Sequence, residues 1–137
     1  MRDNKPILLV EDDDIDAEAV ELALQQLHVT NPLVRVTDGE LALARLRDPS
    51  QRTPGLILLD LNLPVMNGIE FLQMAKGDEQ LRSLPVVVLT TSRLTQDKLA
   101  TFQLSVAGYM VKPVDSAQFI ELIHAINLYW TFSETPP

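Results

Sequence analysis

The segment LILLDLNLPVMNG (residues 56–68) joins a short apolar run to an acid and then to a loop. Its first four residues form the run, Asp60 ends it, and Pro64 and Gly68 mark the loop. A continuous apolar run of this length is typical of a strand that is covered on both faces, as in parallel sheets. The segment therefore predicts a buried strand that carries a carboxylate at its carboxyl end.

Four further apolar segments have the length of strands, and helical spacing separates them. The strand segments are PILLV (6–10), PLVRV (32–36, interrupted by Arg35), PVVVL (85–89) and AGYMV (107–111). Helices are predicted within residues 14–28, 40–47, 68–76, 95–105 and 116–130, the last with apolar residues at i, i+3, i+4, i+7 and i+11. Strands and helices that alternate with short connections predict an α/β domain with a parallel sheet.

Polar residues mark the predicted starts of the helices. Asn67, Thr95 and Asp115 or Ser116 are suited to cap the third, fourth and fifth helices. The acids at the start of the first helix are expected to be solvated or to lie on its exposed face, because acids favour the positive end of the helix dipole. These acids are Asp13, Asp14, Asp16, Glu18 and Glu21.

Composition restricts the class of protein. The chain has 137 residues, 46% hydrophobic and 22% charged, which suits one domain with its own core; we assign residues 1–130 to it and 131–137 to a tail. A net charge of −8 argues against nucleic acid as the main partner. The sequence has no cysteine, no membrane-spanning apolar run and no signal peptide, so we expect a cytoplasmic protein without a membrane partner.

Acids, hydroxyls and a cation follow the predicted strands. Glu11 and Asp12 follow the first strand, Asp60 the third, Thr90 the fourth and Lys112 the fifth. Ligands of open parallel sheets bind at the carboxyl ends of the strands. If the first, third and fourth strands are neighbours, three carboxylates converge and require a cation, for which an all-oxygen set favours Mg²⁺.

The same cluster answers why a buried strand should end in an acid. Asp60, placed between a metal ion and the Lys112 ammonium, could act as a carboxylate nucleophile toward phosphorus. The metal and the lysine would neutralise the phosphoryl oxygens, and Thr90 would add a hydroxyl. Asp60 taken alone is better explained as a strand-end acid or a helix cap, so this hypothesis depends on the whole set.

Four blocks of the sequence resemble the signature blocks of the bacterial response-regulator receiver domain. They are ILLVEDD, LILLDLNLPVMNG, VVVLTTS and GYMVKPV, in the order and spacing of that family, and the resemblance covers about residues 5–128. It implies a flavodoxin-like, doubly wound five-stranded parallel sheet in the order 2-1-3-4-5, between two helical layers. It also implies a phosphoryl group taken from a sensor histidine kinase or a phosphotransfer protein.

The resemblance implies a role for each site position. Asp60 would accept the phosphoryl group, Asp12 would bind Mg²⁺ directly, Glu11 would bind it through water, and the Asn62 carbonyl would complete the set. The remaining roles concern the phosphoryl group: Thr90 as the switch hydroxyl, Lys112 as its ion-pair partner before a cis Lys112–Pro113 bond, and Tyr109 as an aromatic that turns inward. Thr91 departs from the smaller residue usual beside the site, which could slow the entry of donors or water.

A finer resemblance connects LILLDLNLP, VVLTTS and the carboxyl end around NLYWTF with the single-domain regulators that serve bacterial phytochromes. We expect no DNA-binding output domain. The face of the fourth helix, fifth strand and fifth helix would change its affinity for a partner or for a second copy. Tyr129, Trp130 and Phe132 either pack inside the domain or contribute to such a homodimer.

Two other functions compete with this interpretation. A dehalogenase-like, Mg²⁺-dependent phosphatase also uses a strand-end aspartate, but it usually carries Asp-x-Asp, whereas Asn62 stands at the second position here. A receiver-shaped adaptor that is not phosphorylated tends to lack the acid, the threonine or the lysine, all of which are present. Release of phosphate from a simple phosphomonoester would favour the phosphatase.

Overall fold

Five strands and five helices alternate along the chain in the computed structural model, which describes residues 4–133. The strands are β1 (Ile7–Val10), β2 (Leu33–Val36), β3 (Leu56–Leu59), β4 (Val86–Thr90) and β5 (Gly108–Val111). The helices are α1 (Asp14–Gln26), α2 (Gly39–Arg47), α3 (Gly68–Lys76), α4 (Thr95–Gln103) and α5 (Ser116–Phe132). The predicted elements are therefore all present, with boundaries that shift by one or two residues.

The strands form one parallel sheet in the order β2-β1-β3-β4-β5, which confirms the predicted topology. Strand β3 lies between β1 and β4, with Leu59 opposite Val10 on one side and Val88 on the other. The residues that follow β1, β3 and β4 therefore emerge side by side at one edge of the sheet.

Each buried strand sends alternate side chains into two separate cores. On β1, Ile7 and Leu9 face a core made with α1 and α5, and Leu8 and Val10 face a core made with α2 and α3. Helix α4 packs beside α3 on the second face. Burial on both faces explains why these strands are continuously apolar, and it fixes the position of the residues at their tips.

The helix starts agree with the predicted caps at two positions and not at a third. Asn67 caps α3 in a capping box with Glu70, and Asp115 caps α5 by accepting from Gln118 N–H. Thr95 was expected to cap α4, but it is the first helical residue, after an N-cap Leu94 that offers no side-chain acceptor. Ser92 and Asp97 hydrogen-bond each other at 2.6 Å across this turn instead.

The carboxyl-terminal aromatics divide into two groups. Trp130 is buried in the core between α1 and α5, whereas Tyr129 and Phe132 are exposed. Helix α5 continues through Phe132, and residues 134–137 of the predicted tail lie outside the described residues. Within residues 4–133, every helix is too short or too polar to cross a membrane.

Candidate functional site

Asp60 follows β3 directly and stays buried at the sheet edge. Its N–H donates to Val10 O at 3.1 Å, which continues the ladder of β3 with β1 past the end of the strand. Its Oδ1 accepts from Thr90 Oγ1 at 2.7 Å and from Asn62 N–H at 3.3 Å, and its Oδ2 accepts from Lys112 Nζ at 3.3 Å. Backbone and side chain are thus both fixed by neighbouring strand ends.

The loop after Asp60 packs against the backbone of that residue. A Cβ atom at Gly68 would lie 2.5 Å from Asp60 O and 2.7 Å from Leu61 Cα, so this position accepts glycine alone without a shift. Gly68 N–H also donates to Leu61 O at 3.0 Å. The glycine in the sequence block therefore serves the close approach of α3 to the site.

Three carboxylates converge beside Asp60. Oxygens of Glu11, Asp12 and Asp60 lie within 4.8 Å of one another; Glu11 and Asp60 are buried, and Asp12 is exposed. Acids this close repel each other unless a cation lies between them, and an all-oxygen set suits a hard divalent ion. The donor set therefore fits a divalent metal ion with one side open to solvent.

Lys112 brings a positive charge into this cluster from β5. Its N–H donates to Thr90 O at 2.8 Å, and its Nζ donates to Glu11, to Asp16 Oδ2 at 2.8 Å and to Asp60 Oδ2 at 3.3 Å. Burial by itself lowers the pKa of Lys112, but the hydrogen bonds to Asp16 and Glu11 and the nearby charges of Asp60 and Glu11 together outweigh it and hold this pKa above its ordinary value. The ammonium is therefore a permanent charge of the site.

Glu11 is the acid whose titration the site changes most clearly. Burial raises the pKa of Glu11 to about 7, the hydrogen bond from Lys112 opposes that rise, and the nearby charge of Asp60 adds to it. A divalent cation would favour the ionised form, so ion binding and the loss of this proton are coupled.

Asp16 was expected on the exposed face of α1, and the structure places it in the site instead. Its side chain is half-buried and forms an ion pair with Lys112. No local signal distinguishes Asp16 from the other acids of α1, because the contact joins α1 to the residue that follows β5. Arg35 was also missed: its Nε donates to Glu11 O at 2.9 Å, and its Nη1 lies 2.8 Å from Asp14.

The remaining predicted residues border the cluster. Thr91 is exposed, and Tyr109 is half-buried with its hydroxyl donating to Ser92 O at 2.9 Å. Asn62 is exposed and contacts Asp60 through its N–H, while the metal-binding role of its carbonyl stays a prediction. All peptide bonds of residues 4–133 are trans, so the cis Lys112–Pro113 bond that the resemblance implied is not found.

Comparison with known proteins gives the same assignment from independent observations. The response regulator receiver domain family matches residues 7–124. Response regulator Rcp1 of Synechocystis sp. is 36% identical over 137 residues, which cover 97% of this chain and 93% of Rcp1.

Solved structures extend this agreement to three dimensions. The phosphorylated cyanobacterial phytochrome response regulator RcpA and the Mn²⁺-bound form of Rcp1 each superpose with a TM-score of 0.88 at 36% identity, over 97% of this chain and 99% of theirs. The family match covers both the strand-end acids and Lys112. The chain therefore belongs to the response-regulator receiver family.

Proposed function

We propose that Asp60 accepts a phosphoryl group from the phosphohistidine of a sensor histidine kinase, in a reaction that depends on Mg²⁺. One observation carries this proposal: a single buried carboxylate contacts a hydroxyl and an ammonium and lies within an acidic cluster. These are the groups that phosphoryl transfer to an acid uses, and buried charged groups are often no more stabilising than apolar residues of similar volume.

The transfer exchanges one bond to phosphorus for another. A carboxylate oxygen of Asp60 forms the new bond while the bond from phosphorus to the imidazole nitrogen of the donor breaks. The bonding electrons return to that nitrogen, and the donor leaves as a neutral imidazole because its other ring nitrogen already carries a proton taken from solvent. Asp60 needs no base for this role because an ionised carboxylate is already a nucleophile.

Glu11, Asp12 and Asp60 would hold the metal ion, with Asn62 as a further oxygen donor. Bound Mg²⁺ would neutralise charge on the transferred oxygens. The Mn²⁺-bound form of Rcp1 supports a divalent ion in this fold. We propose Mg²⁺ here because small carboxylate sets that leave positions for water and phosphate suit that ion.

The chain's own residues orient the phosphoryl group and transmit its arrival. Lys112 and Thr90 lie on opposite oxygens of Asp60 and can each donate to a phosphoryl oxygen. Thr90 is followed by the turn whose Ser92 carbonyl accepts from Tyr109, so a shift of Thr90 would pull on this aromatic. We propose that Thr90 and Tyr109 have one arrangement before phosphorylation and another after it, and that the change between the two forms the switch. We also propose that Thr91, at the exposed rim, limits access to Asp60.

We propose two kinds of partner. The similarity to phytochrome response regulators favours a phytochrome-type histidine kinase, or a phosphotransfer protein, as the donor. The phosphoryl group of such donors comes from ATP. We therefore propose that the chain is cytoplasmic. We propose a switchable homodimer through the α4–β5–α5 face, because α4, its N-cap and α5 carry exposed apolar residues; these residues are Leu94, Leu99, Phe102, Leu128, Tyr129 and Phe132.

Acetyl phosphate with Mg²⁺, followed by intact-mass analysis and peptide mapping, tests the transfer. We expect one acid-stable, base-labile phosphoryl group on Asp60, no phosphorylation when a chelator is present during the incubation, and none at this position in the Asp60→Asn variant. Asp115→Asn is the matched control, because Asp115 is the exposed N-cap of α5 and is outside the acids that could hold a metal ion. Phosphorylation that persists unchanged in Asp60→Asn would refute the proposal. Size-exclusion chromatography of both states tests the dimer.

A further inference from the structure

All three N–H donors of the Lys112 ammonium already have acceptors. An ammonium group has three N–H donors, and Lys112 directs them at Glu11, Asp16 and Asp60. A phosphoryl group on Asp60 brings new acceptor oxygens toward the same ammonium. A phosphoryl oxygen must therefore compete with the present acceptors for Lys112.

Asp16 is the most exposed of the three acceptors, although its oxygen lies closer to Lys112 Nζ, at 2.8 Å, than that of Asp60, at 3.3 Å. The Glu11 and Asp60 side chains are 3% and 8% exposed, whereas the Asp16 side chain is 36% exposed. Asp16 is also outside the group of acids that could hold a metal ion. It lies with Lys112 along a cleft of about 340 Å³ between α1 and the start of α5, so its carboxylate has room to turn into solvent.

We propose that Asp16 is a positioning residue that holds Lys112 before phosphorylation and competes with the phosphoryl group for it afterwards. This inference rests on the function proposed above and adds a specific control of phosphoryl affinity. Asp16 keeps the ammonium in the site while no phosphoryl group is there. The same negative charge then weakens the attraction between Lys112 and an anion bound at Asp60.

The sign of the effect follows from the charges. Asp16 and a phosphoryl group are both anionic and share one cation, so removal of the Asp16 charge should strengthen anion binding. Partial exposure of Asp16 reduces this effect by screening. We expect Asp16→Asn to bind the anion about fivefold more tightly, near the low end of typical coupling between sites. Raising the ionic strength should shrink the difference.

Beryllium fluoride, an anionic mimic of the phosphoryl group, is the probe. Its affinity is measured by fluorescence or calorimetry at saturating Mg²⁺ on the full chain, so that a weaker metal site does not enter the comparison. Glu18→Gln is the matched control, because Glu18 lies two residues along α1, is exposed and loses the same charge. Asp16→Glu restores the charge and should return the affinity toward that of the wild type.

The outcomes separate this inference from the proposed function. Tighter binding by Asp16→Asn and unchanged binding by Glu18→Gln would support competition for Lys112. Equal or weaker binding by Asp16→Asn, while the wild type binds the mimic, would overturn the inference and leave the proposed function intact. A wild-type chain that binds no beryllium fluoride with Mg²⁺ present would overturn both. A purely structural role for Asp16 cannot produce tighter binding.

Discussion

The Thr90 hydroxyl donates a hydrogen bond of 2.7 Å to Asp60 Oδ1 between the ends of two neighbouring strands. Thr90 is 0% exposed and Asp60 is 7% exposed, so the bond joins a neutral donor to a carboxylate away from water. Hydrogen bonds to charged groups contribute more than neutral ones, and a buried acceptor that loses its partner is costly. The bond therefore links the stability of the domain to its proposed phosphorylation site.

Thr90→Val keeps the shape of the side chain and removes this donor. We expect the free energy of unfolding to fall by about 2 kcal/mol, in the range for hydrogen bonds to charged groups. Acetyl phosphate should also label Asp60 more slowly, because the hydroxyl no longer orients the acceptor. Urea unfolding and the rate of labelling measure the two effects.

Thr90→Ser is the control for this change, since it keeps the hydroxyl and deletes a methyl group. It should label at a rate closer to the wild type than Thr90→Val does, even though the lost methyl group also lowers stability. Equal labelling by Thr90→Val and the wild type would mean that the bond has no part in the reaction.

Metal affinity should depend on pH because burial raises the pKa of Glu11 to about 7. Below this pH Glu11 is protonated and the ion must displace the proton, whereas above it the carboxylate is already ionised. The apparent affinity for Mg²⁺ should therefore rise about tenfold from pH 6 to pH 8 and level off above that. Titration calorimetry at three pH values in buffers of different ionisation enthalpy measures the affinity and the released proton.

The same pKa has a consequence for the metal-free protein. Glu11 binds its proton more tightly in the folded protein than in the unfolded chain, where its pKa has the ordinary value of 4.5, so stability falls as the pH rises from about 4.5 to about 7. Glu11→Gln should remove this slope and also remove the pH dependence of metal binding, although it weakens the metal site. A slope that is retained in Glu11→Gln would assign it to another group.

The fold was predictable because its main signals are local. Continuous apolar strands such as Leu56–Leu59 reflect burial on both faces, and Asn67 is followed three residues later by the Glu70 of its capping box. The cluster of Glu11, Asp60 and Lys112 was predictable because parallel strands bring their carboxyl ends to one edge.

The contacts that the sequence did not predict depend on how helices pack and on where long side chains point. Asp16 carries the same signal as its exposed neighbours on α1, and the packing of α1 against α5 brings it to Lys112. Arg35 interrupts an apolar segment, which suggests a weak strand, yet its guanidinium spans the sheet edge to Glu11 O. Neither contact follows from the local pattern, because each joins segments that are far apart in sequence.

Arg35 supports the loop that carries the proposed metal ligands Glu11 and Asp12. Arg35 is on β2, opposite Leu9 of β1. Its side chain donates to Glu11 O at 2.9 Å and forms an ion pair with Asp14 at 2.8 Å. Arg35→Met keeps the apolar stem and removes these contacts, so we expect the affinity for Mg²⁺ to fall about threefold and the stability to fall by about 1 kcal/mol. Calorimetry and urea unfolding measure both.

Arg47→Met is the control for Arg35→Met. Arg47 is largely exposed on α2 and lies 3.6 Å from Asp78, so its loss should change neither quantity measurably. A similar decrease of metal affinity in both variants would show that Arg35 acts through net charge and not through the loop.

Val65 occupies an unfavourable backbone conformation in the loop after Asp60. Its φ is 64°, a region that β-branched residues rarely adopt, and Met66 N–H donates to Pro64 O at 2.7 Å across it. The side chain is 77% exposed, so it offers little packing in return. The loop after Asp60 is therefore strained, because a valine occupies a position with positive φ.

Val65→Gly should release this strain, because glycine adopts positive φ without a steric penalty. We expect the free energy of unfolding to rise by about 1 kcal/mol, the low end for a strained residue, since glycine also loosens the unfolded chain. Thermal and urea unfolding measure the change. Val114→Gly is the matched control: Val114 is fully exposed and outside the residues with positive φ, so glycine there should lower stability. A loss of stability in both variants would show that the conformation of Val65 costs little.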